Sequence, residues 1–381
     1  MYSIKHFKLF SALLLSLSVS CFFLSFTVLA EKMDSKNNPE LMRTAGKFAN
    51  NPLTLNYDFE TLPKQSELEN KPWPENYWPT VKGGLRYSPS LDRTYNKFDL
   101  LTHNVFTMKF LMSQEKINKL PPTMKLDLYL GDYSYSLTRE EIERTDSVFK
   151  NPEGKGWFGL CHGWASRALN CKEPKPVTVK NPNGISIQFN SSDLKALDLY
   201  FEGEVSNGED CGAGRRCNIE SDKITGDELE YKDVHIATFY LALTNLIPQG
   251  QGFVMDKTID APVWNQPIFG YSTKVISDKK EASQDSAVGT VREVEIELTV
   301  DWLGELSSRE QPYGDDSSAR HKVVYTGVLE LDKDNKIIGG KWTGNSVKDH
   351  PDFIWMKADD DKAKYGKRWQ ALKELLEKAQ Q

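Results

Sequence analysis

From Asp233 to Ile247 apolar positions follow one another almost without a break, with His235 near the start and Pro248-Gln249-Gly250 at the end, which predicts a buried helix. Directly after it, Gly252-Phe253-Val254-Met255-Asp256 predicts a short buried strand that finishes on a carboxylate. The period then changes. Val291 to Trp302 and Val323 to Leu331 alternate apolar with charged residues, and Asp332-Lys333-Asp334-Asn335 predicts a turn into Lys336-Ile337-Ile338-Gly339-Gly340. Upstream the pattern is mixed. Leu126 to Leu130 alternates like a strand, Thr138-Arg139-Glu140-Glu141 reads as a helix cap, Ile185 to Phe189 alternates again, and Ser191-Ser192-Asp193 caps a helix that reaches Tyr200. At the C-terminus Trp369, Leu372 and Leu376 fall on one helical face. Together these elements predict an α+β fold, with helices packed on a mainly antiparallel C-terminal β-sheet.

The polar pattern divides the chain. Residues 1–30 carry Lys5, His6 and Lys8, an apolar run from Leu9 to Leu29, and Val28-Leu29-Ala30 as a small-residue cleavage site, which reads as a secretory signal peptide. Residues 31–69 are polar with scattered apolar positions and are expected to be a loosely held N-terminal or pro segment. A catalytic domain is expected over 70–360 and an amphipathic helix over 361–381. Lys71-Pro72-Trp73-Pro74-Glu75-Asn76-Tyr77-Trp78-Pro79 predicts an extended strip whose tryptophans need burial. Loss of the signal removes two lysines and no acid, so the formal charge of −6 becomes −8. With no basic stripe, nothing recruits nucleic acid. No other apolar run is long enough to span a bilayer, so the expectation is a secreted or periplasmic protein with no stable membrane insertion.

Chemistry concentrates at Trp157-Phe158-Gly159-Leu160-Cys161-His162-Gly163-Trp164-Ala165, where one cysteine sits between glycines and tryptophans just as a helix begins and Pro174 ends it. A helix N-terminus favours thiolate over thiol and offers N–H groups to an oxyanion, although a cysteine in isolation is more often inert core. Four cysteines remain after signal removal. Cys161 and Cys171 on one helix would stand about 15 Å apart, beyond the roughly 7 Å reach of a disulfide, so Cys211–Cys217 is the expected bridge. Six histidines compete as the base. His162 adjoins Cys161 and points elsewhere on the helix, His103 and His321 read as surface residues, and His350 in Asp349-His350-Pro351-Asp352 is second choice. His235 is first choice, with Asp256 to orient it and Asp260 or Asn265 as the other orienters. Trp157, Trp164 and Trp264 are candidates to wall the site, with Asn265 beside the substrate. Neither a metal nor a cofactor is expected, and the Asp332 turn lacks the bidentate glutamate that calcium would need.

Val263-Trp264-Asn265-Gln266-Pro267-Ile268-Phe269-Gly270-Tyr271 resembles the signature peptide of the transglutaminase elicitor family of oomycete cell-wall glycoproteins and bacterial relatives, with Ile268 and Phe269 in place of the family's valine and arginine. Other blocks agree: Trp73-Pro74 with Trp78-Pro79, Gly159 to Trp164, the His235 helix, Gly339-Gly340-Lys341-Trp342, and His350-Pro351-Asp352-Phe353. The resemblance covers about residues 70 to 356. It implies a papain-like, transglutaminase-like catalytic core and protein-glutamine γ-glutamyltransfer, with Cys161 as nucleophile and proteins bearing glutamine and lysine side chains as substrates. A cysteine protease, amidase or deamidase would use the same residues, and a non-catalytic binding protein would keep the fold.

Overall fold

The computed structural model describes residues 33, 37–206, 210–216, 233–358 and 365–381, so the export signal expected over 1–30 and one end of the expected Cys211–Cys217 bridge lie outside the described residues. The helical half comprises α1 (Lys97–Thr102), α2 (Gln114–Asn118), α3 (Pro122–Tyr129), α4 (Ser136–Lys150), α5 (Cys161–Asn170) and α6 (Ser191–Tyr200). Short strands accompany it: β1 (Gln65–Glu67), β2 (Tyr87–Ser88) paired with β3 (Arg93–Thr94), and β4 (Val177–Lys180) paired with β5 (Ser186–Phe189). The remainder is β6 (Asp210–Gly214), α7 (Ile236–Leu246), β7 (Phe253–Asp256), β8 (Asn265–Lys279), β9 (Arg292–Leu303), β10 (Arg320–Leu331), β11 (Ile337–Trp342), β12 (Phe353–Lys357) and the C-terminal α8 (Gly366–Ala379). No helix among the described residues is long and apolar enough to cross a membrane.

Seven strands form one sheet in the order β11-β10-β9-β8-β7-β12-β6, with β1 added alongside β8, and every pairing is antiparallel. The long strand β8 makes this possible. Its first residues pair with the short β7 and the next few with β1, while its other edge follows β9. Helix α7 packs on β10 and β11, and all 11 of its residues are buried, which is why its sequence lacks a polar face. On the other part of the sheet α5 packs against β7 and β8. The architecture is therefore the expected one, helices on a mainly antiparallel sheet. The segment from Asn37 to Glu69 also lies on this body, with Met42, Phe48, Phe59, Leu62 and Leu68 buried.

Two local readings are corrected. Leu126 to Leu130 lies in or at the end of α3 and is not a strand. Pro121 and Pro122 preset the backbone for a first helical turn, and the apparent alternation arises because the intervening charges are buried too. Lys125 pairs with Asp193 across to α6, and Asp127 accepts hydrogen bonds from Leu137 N, Thr138 N and Thr138 Oγ1. The same contacts explain why α4 begins at Ser136, ahead of Thr138. Its first N–H groups are capped from outside by Asp127 and by Asp132, which takes the Ser136 N–H at 2.9 Å.

The strip Lys71–Pro79 sets the start of α5. Trp73 and Trp78 are buried, and the indole N–H of Trp73 donates to Cys171 O at the far end of the helix. At the near end Leu160 N donates to Tyr77 O at 2.6 Å and Thr80 N to Phe158 O at 2.8 Å. Gly163 lets α5 approach α6: a Cβ there would stand 2.1 Å from Leu199 O, a contact that only glycine avoids.

Candidate functional site

Cys161 is the first residue of α5 and carries a free thiol, 4% exposed, under a cavity of about 520 Å³ whose lining includes Trp157, His162, Arg216, Val263 and Asn265. Its sulfur lies 3.9 Å from the Val263 carbonyl, to which S–H can donate, and 3.6 Å from Asn265 Nδ2, which donates to it. The orientation of the Asn265 amide follows from its other contact. Trp355 Nε1, a donor with no acceptor capacity, lies 2.8 Å from Asn265 Oδ1, so the carbonyl must face the indole and the NH₂ must face the sulfur.

The electrostatics contradict the expected resting thiolate. The helix start and the Asn265 amide favour the anion, but burial outweighs them, and with the negative charges of Glu305 and Asp256 nearby the thiol is pushed up to about 11. At neutral pH Cys161 rests protonated.

Asp256 ends β7 directly opposite Asn265, the first residue of β8, so both side chains stand on the face covered by α5. Oδ1 accepts from Trp264 N at 2.8 Å, while Oδ2 is buried with no hydrogen-bond partner. Burial lifts this carboxyl to about 7, and the Asp352 charge adds to the effect. The residue thus titrates near neutrality, close enough to Cys161 for its charge to be felt there.

The hydrogen bonds of Cys161 run to Val263 and Asn265 and not to His235. His235 is the N-cap of α7: its Nδ1 accepts from Ala237 N at 3.2 Å, and its own N–H donates to Asn37 Oδ1 at 2.9 Å. A neutral ring that accepts through Nδ1 carries its proton on Nε2, so no lone pair is left for a thiol. Among the described residues Cys161 hydrogen-bonds to no histidine. The sequence signal at His235, a polar residue opening an apolar helix, is met by capping. His350, the second choice, is held between Ser346 O at 2.7 Å and Asp233 at 3.2 Å and stacks on Trp342. His162 packs its Nε2 against Gly203, and burial pushes its pKa down. His103, expected on the surface, is buried, and His321 stacks on Trp302.

Of the three tryptophans, Trp157 lines the cavity beneath the Arg216 guanidinium, 5.5 Å from its ring centroid. Trp264 meets Tyr77 edge-on at 5.6 Å, in the peptide that contacts the thiol. Trp164 is wholly buried, with its indole N–H donating to Trp73 O at 3.0 Å, so it belongs to the core and walls nothing. Sequence reasoning missed Trp355, which orients Asn265, and Glu305, which Gln266 Nε2 holds at 3.0 Å. Trp355 had a weak signal, an apolar run right after His350-Pro351-Asp352; Glu305 had none. Among the described residues no cluster of His, Cys, Asp or Glu could hold a metal ion.

Comparison with known proteins gives two matches. The sequence model of the family described as "Transglutaminase elicitor" matches residues 152–381, more than half of the chain. Among solved structures, the crystal structure of the GP42 transglutaminase from Phytophthora sojae superposes with a TM-score of 0.62 at 20% identity, covering 86% of this chain and 94% of that one. At that identity the likeness speaks for the fold, which is papain-like and transglutaminase-like. No curated protein matches.

Proposed function

The chain belongs to the transglutaminase elicitor family, and from that premise we propose that it is a protein-glutamine γ-glutamyltransferase whose nucleophile is Cys161. One observation carries this reading: a free thiol at a helix start, beneath a cavity, with a side-chain amide fixed so that its N–H points at the sulfur. In the reaction Sγ attacks the carboxamide carbon of a protein glutamine. The thiol proton passes to a base and then to the departing ammonia, leaving a thioester. A lysine amine attacks the thioester, a C–N bond replaces the C–S bond, and Cys161 regains a proton.

Asp256 is the base this arrangement favours. Its Oδ2 is free, and it titrates near neutral pH beside the thiol. His235, first choice from sequence order, would have to release Ala237 N before its ring could serve. Asn265 steadies the negative sulfur, and Trp157 and Trp264 are placed to exclude water from the thioester. The Lys5, Lys8 and apolar pattern of residues 1–30 supports substrates outside the cell.

The test is to incubate the purified protein with a glutamine-bearing protein and a fluorescent primary amine. Incorporation that disappears in Cys161→Ala supports the proposal. Release of ammonia without incorporation would make the protein a deamidase, and absence of both would leave a binding protein on this fold.

A further inference from the structure

On the acyl-transfer reading just given, we propose that Glu305 and Gln266 form the seat for the ammonium group of the acceptor lysine. Glu305 follows the end of β9, which pairs beside the start of β8, and Gln266 is the second residue of β8, so both stand at the end of the sheet where Asn265 touches the thiol, Gln266 on the strand face opposite to Asn265. The Glu305 carboxylate is mostly buried, yet no lysine, arginine or histidine pairs with it among the described residues. Its side-chain partner is Gln266 Nε2, at 3.0 Å from Oε1. Gln266 is itself 3% exposed, and its Oε1 is buried without a donor. The corner therefore holds a carboxylate and an orphaned amide oxygen, with a surplus of acceptors and no cation.

A buried carboxylate without a counter-charge is costly, and so is a buried acceptor without a donor. Both needs are met by one ligand type, a group with positive charge and several N–H donors. A primary ammonium has three donors and a compact charge. A glutamine carboxamide is neutral and does not require a carboxylate, so this corner fits the acceptor and not the donor substrate. Its position agrees. Glu305 is near enough to Cys161 and Tyr77 that its charge pushes both groups up, to the disadvantage of the nucleophile. A bound ammonium would cancel that charge.

In transfer, the bound ammonium gives one proton to the Glu305 carboxylate. The resulting amine attacks the thioester carbonyl, the C–N bond forms as the C–S bond breaks, and the departing sulfur takes a second proton from the former amine. Glu305 returns its proton to water, so the step yields amide, thiol and one proton from thioester and ammonium.

The test compares two acceptors at about pH 7.5, N-acetyl-lysine methylamide, protonated there, and an acyl hydrazide, which is uncharged. Glu305→Gln keeps an oxygen for Gln266 and removes the charge. It is expected to lower kcat/KM for the lysine acceptor about tenfold or more relative to the hydrazide, mainly through KM. Glu305→Asp, which keeps the charge, should restore much of the preference, and a shared folding defect would instead depress both acceptors alike in both variants. An unchanged lysine-to-hydrazide ratio in Glu305→Gln, with transfer intact in the wild type, overturns this inference and spares the acyl-transfer reading. A wild type that transfers to neither acceptor removes both.

Discussion

Asp256→Asn is expected to stabilise the protein at alkaline pH while abolishing amine incorporation. Asp256 is wholly buried, its Oδ2 has no donor, and Asp352 adds like charge, so the carboxyl is lifted from 3.8 to about 7. Below 3.8 folded and unfolded chains both hold the proton, and its contribution to stability is complete. Between 3.8 and about 7 the unfolded chain releases the proton that the folded chain keeps, so stability falls as pH rises; above about 7 the contribution is lost. At about 1.4 kcal/mol per pH unit, this interval corresponds to an upper figure of roughly 4 kcal/mol, which local relaxation and water reduce to about half. Asparagine keeps the acceptor for Trp264 N and replaces the unpartnered oxygen with an uncharged donor. Urea unfolding of both proteins at about pH 4, 6 and 8 measures the effect. The variant should match the wild type near pH 4 and exceed it by roughly 2–4 kcal/mol near pH 8. A difference that does not change with pH, or a variant less stable at pH 8, would refute the argument that an ionised, uncompensated carboxylate sits beside the thiol. Retained transferase activity would remove Asp256 as base.

Because Cys161 lies at about 11, its alkylation by iodoacetamide should climb roughly tenfold per pH unit from about pH 6 to 9; a plateau below about pH 8, followed by mass spectrometry of the modified peptide, would reveal a resting thiolate instead. Asn265→Ala removes the N–H that favours the anion and leaves the Trp355 indole without its acceptor, so alkylation at about pH 8 should slow and kcat fall about 10²-fold. His235→Ala removes the α7 cap and should cost about 1 kcal/mol in urea unfolding, with kcat held within a few-fold; a loss of about 10³-fold in kcat at unchanged stability would make His235 the base. Lys195→Met leaves Glu75 buried without its cation, and a destabilisation of about 3–5 kcal/mol by the same assay is expected.

How much of this was legible in the sequence follows from where charges lie. The α7 helix, β7 and the long C-terminal strands could be read because their polarity tracks solvent: buried elements are apolar throughout, and strands with one wet face alternate. The helical half defeats that rule. Lys125, Asp127, Asp193 and Lys195 are all buried: Lys125 and Asp193 pair with each other, Lys195 pairs with Glu75 and Glu173, and Asp127 is satisfied by Leu137 N and by the backbone and hydroxyl of Thr138. Their spacing in the sequence therefore imitates a solvent face, and α3 reads as a strand. The pairings that neutralise them span tens of residues and leave no local trace.

At the site the same limit applies to energetics. Glycines around a cysteine ahead of a helix announce the local effect that favours thiolate, and that part was readable. The opposing effect comes from burial of the sulfur, from the Val263 carbonyl 102 residues onward, and from the negative charges of Glu305 and Asp256 on neighbouring strand ends, which together outweigh the Asn265 amide that favours the anion. Those groups bury the sulfur and surround it with acceptors and negative charge, and they outweigh the helix start. On the acyl-transfer reading, the thiol proton leaves as substrate enters the site and not before. Substrate must bring the change: a carbonyl that accepts the sulfur while the proton leaves to Asp256, or a cation that quiets Glu305. On the acyl-transfer reading the activation of Cys161 is then coupled to occupancy of the cavity, and a protonated, buried thiol is slow to react with oxidants until it is engaged.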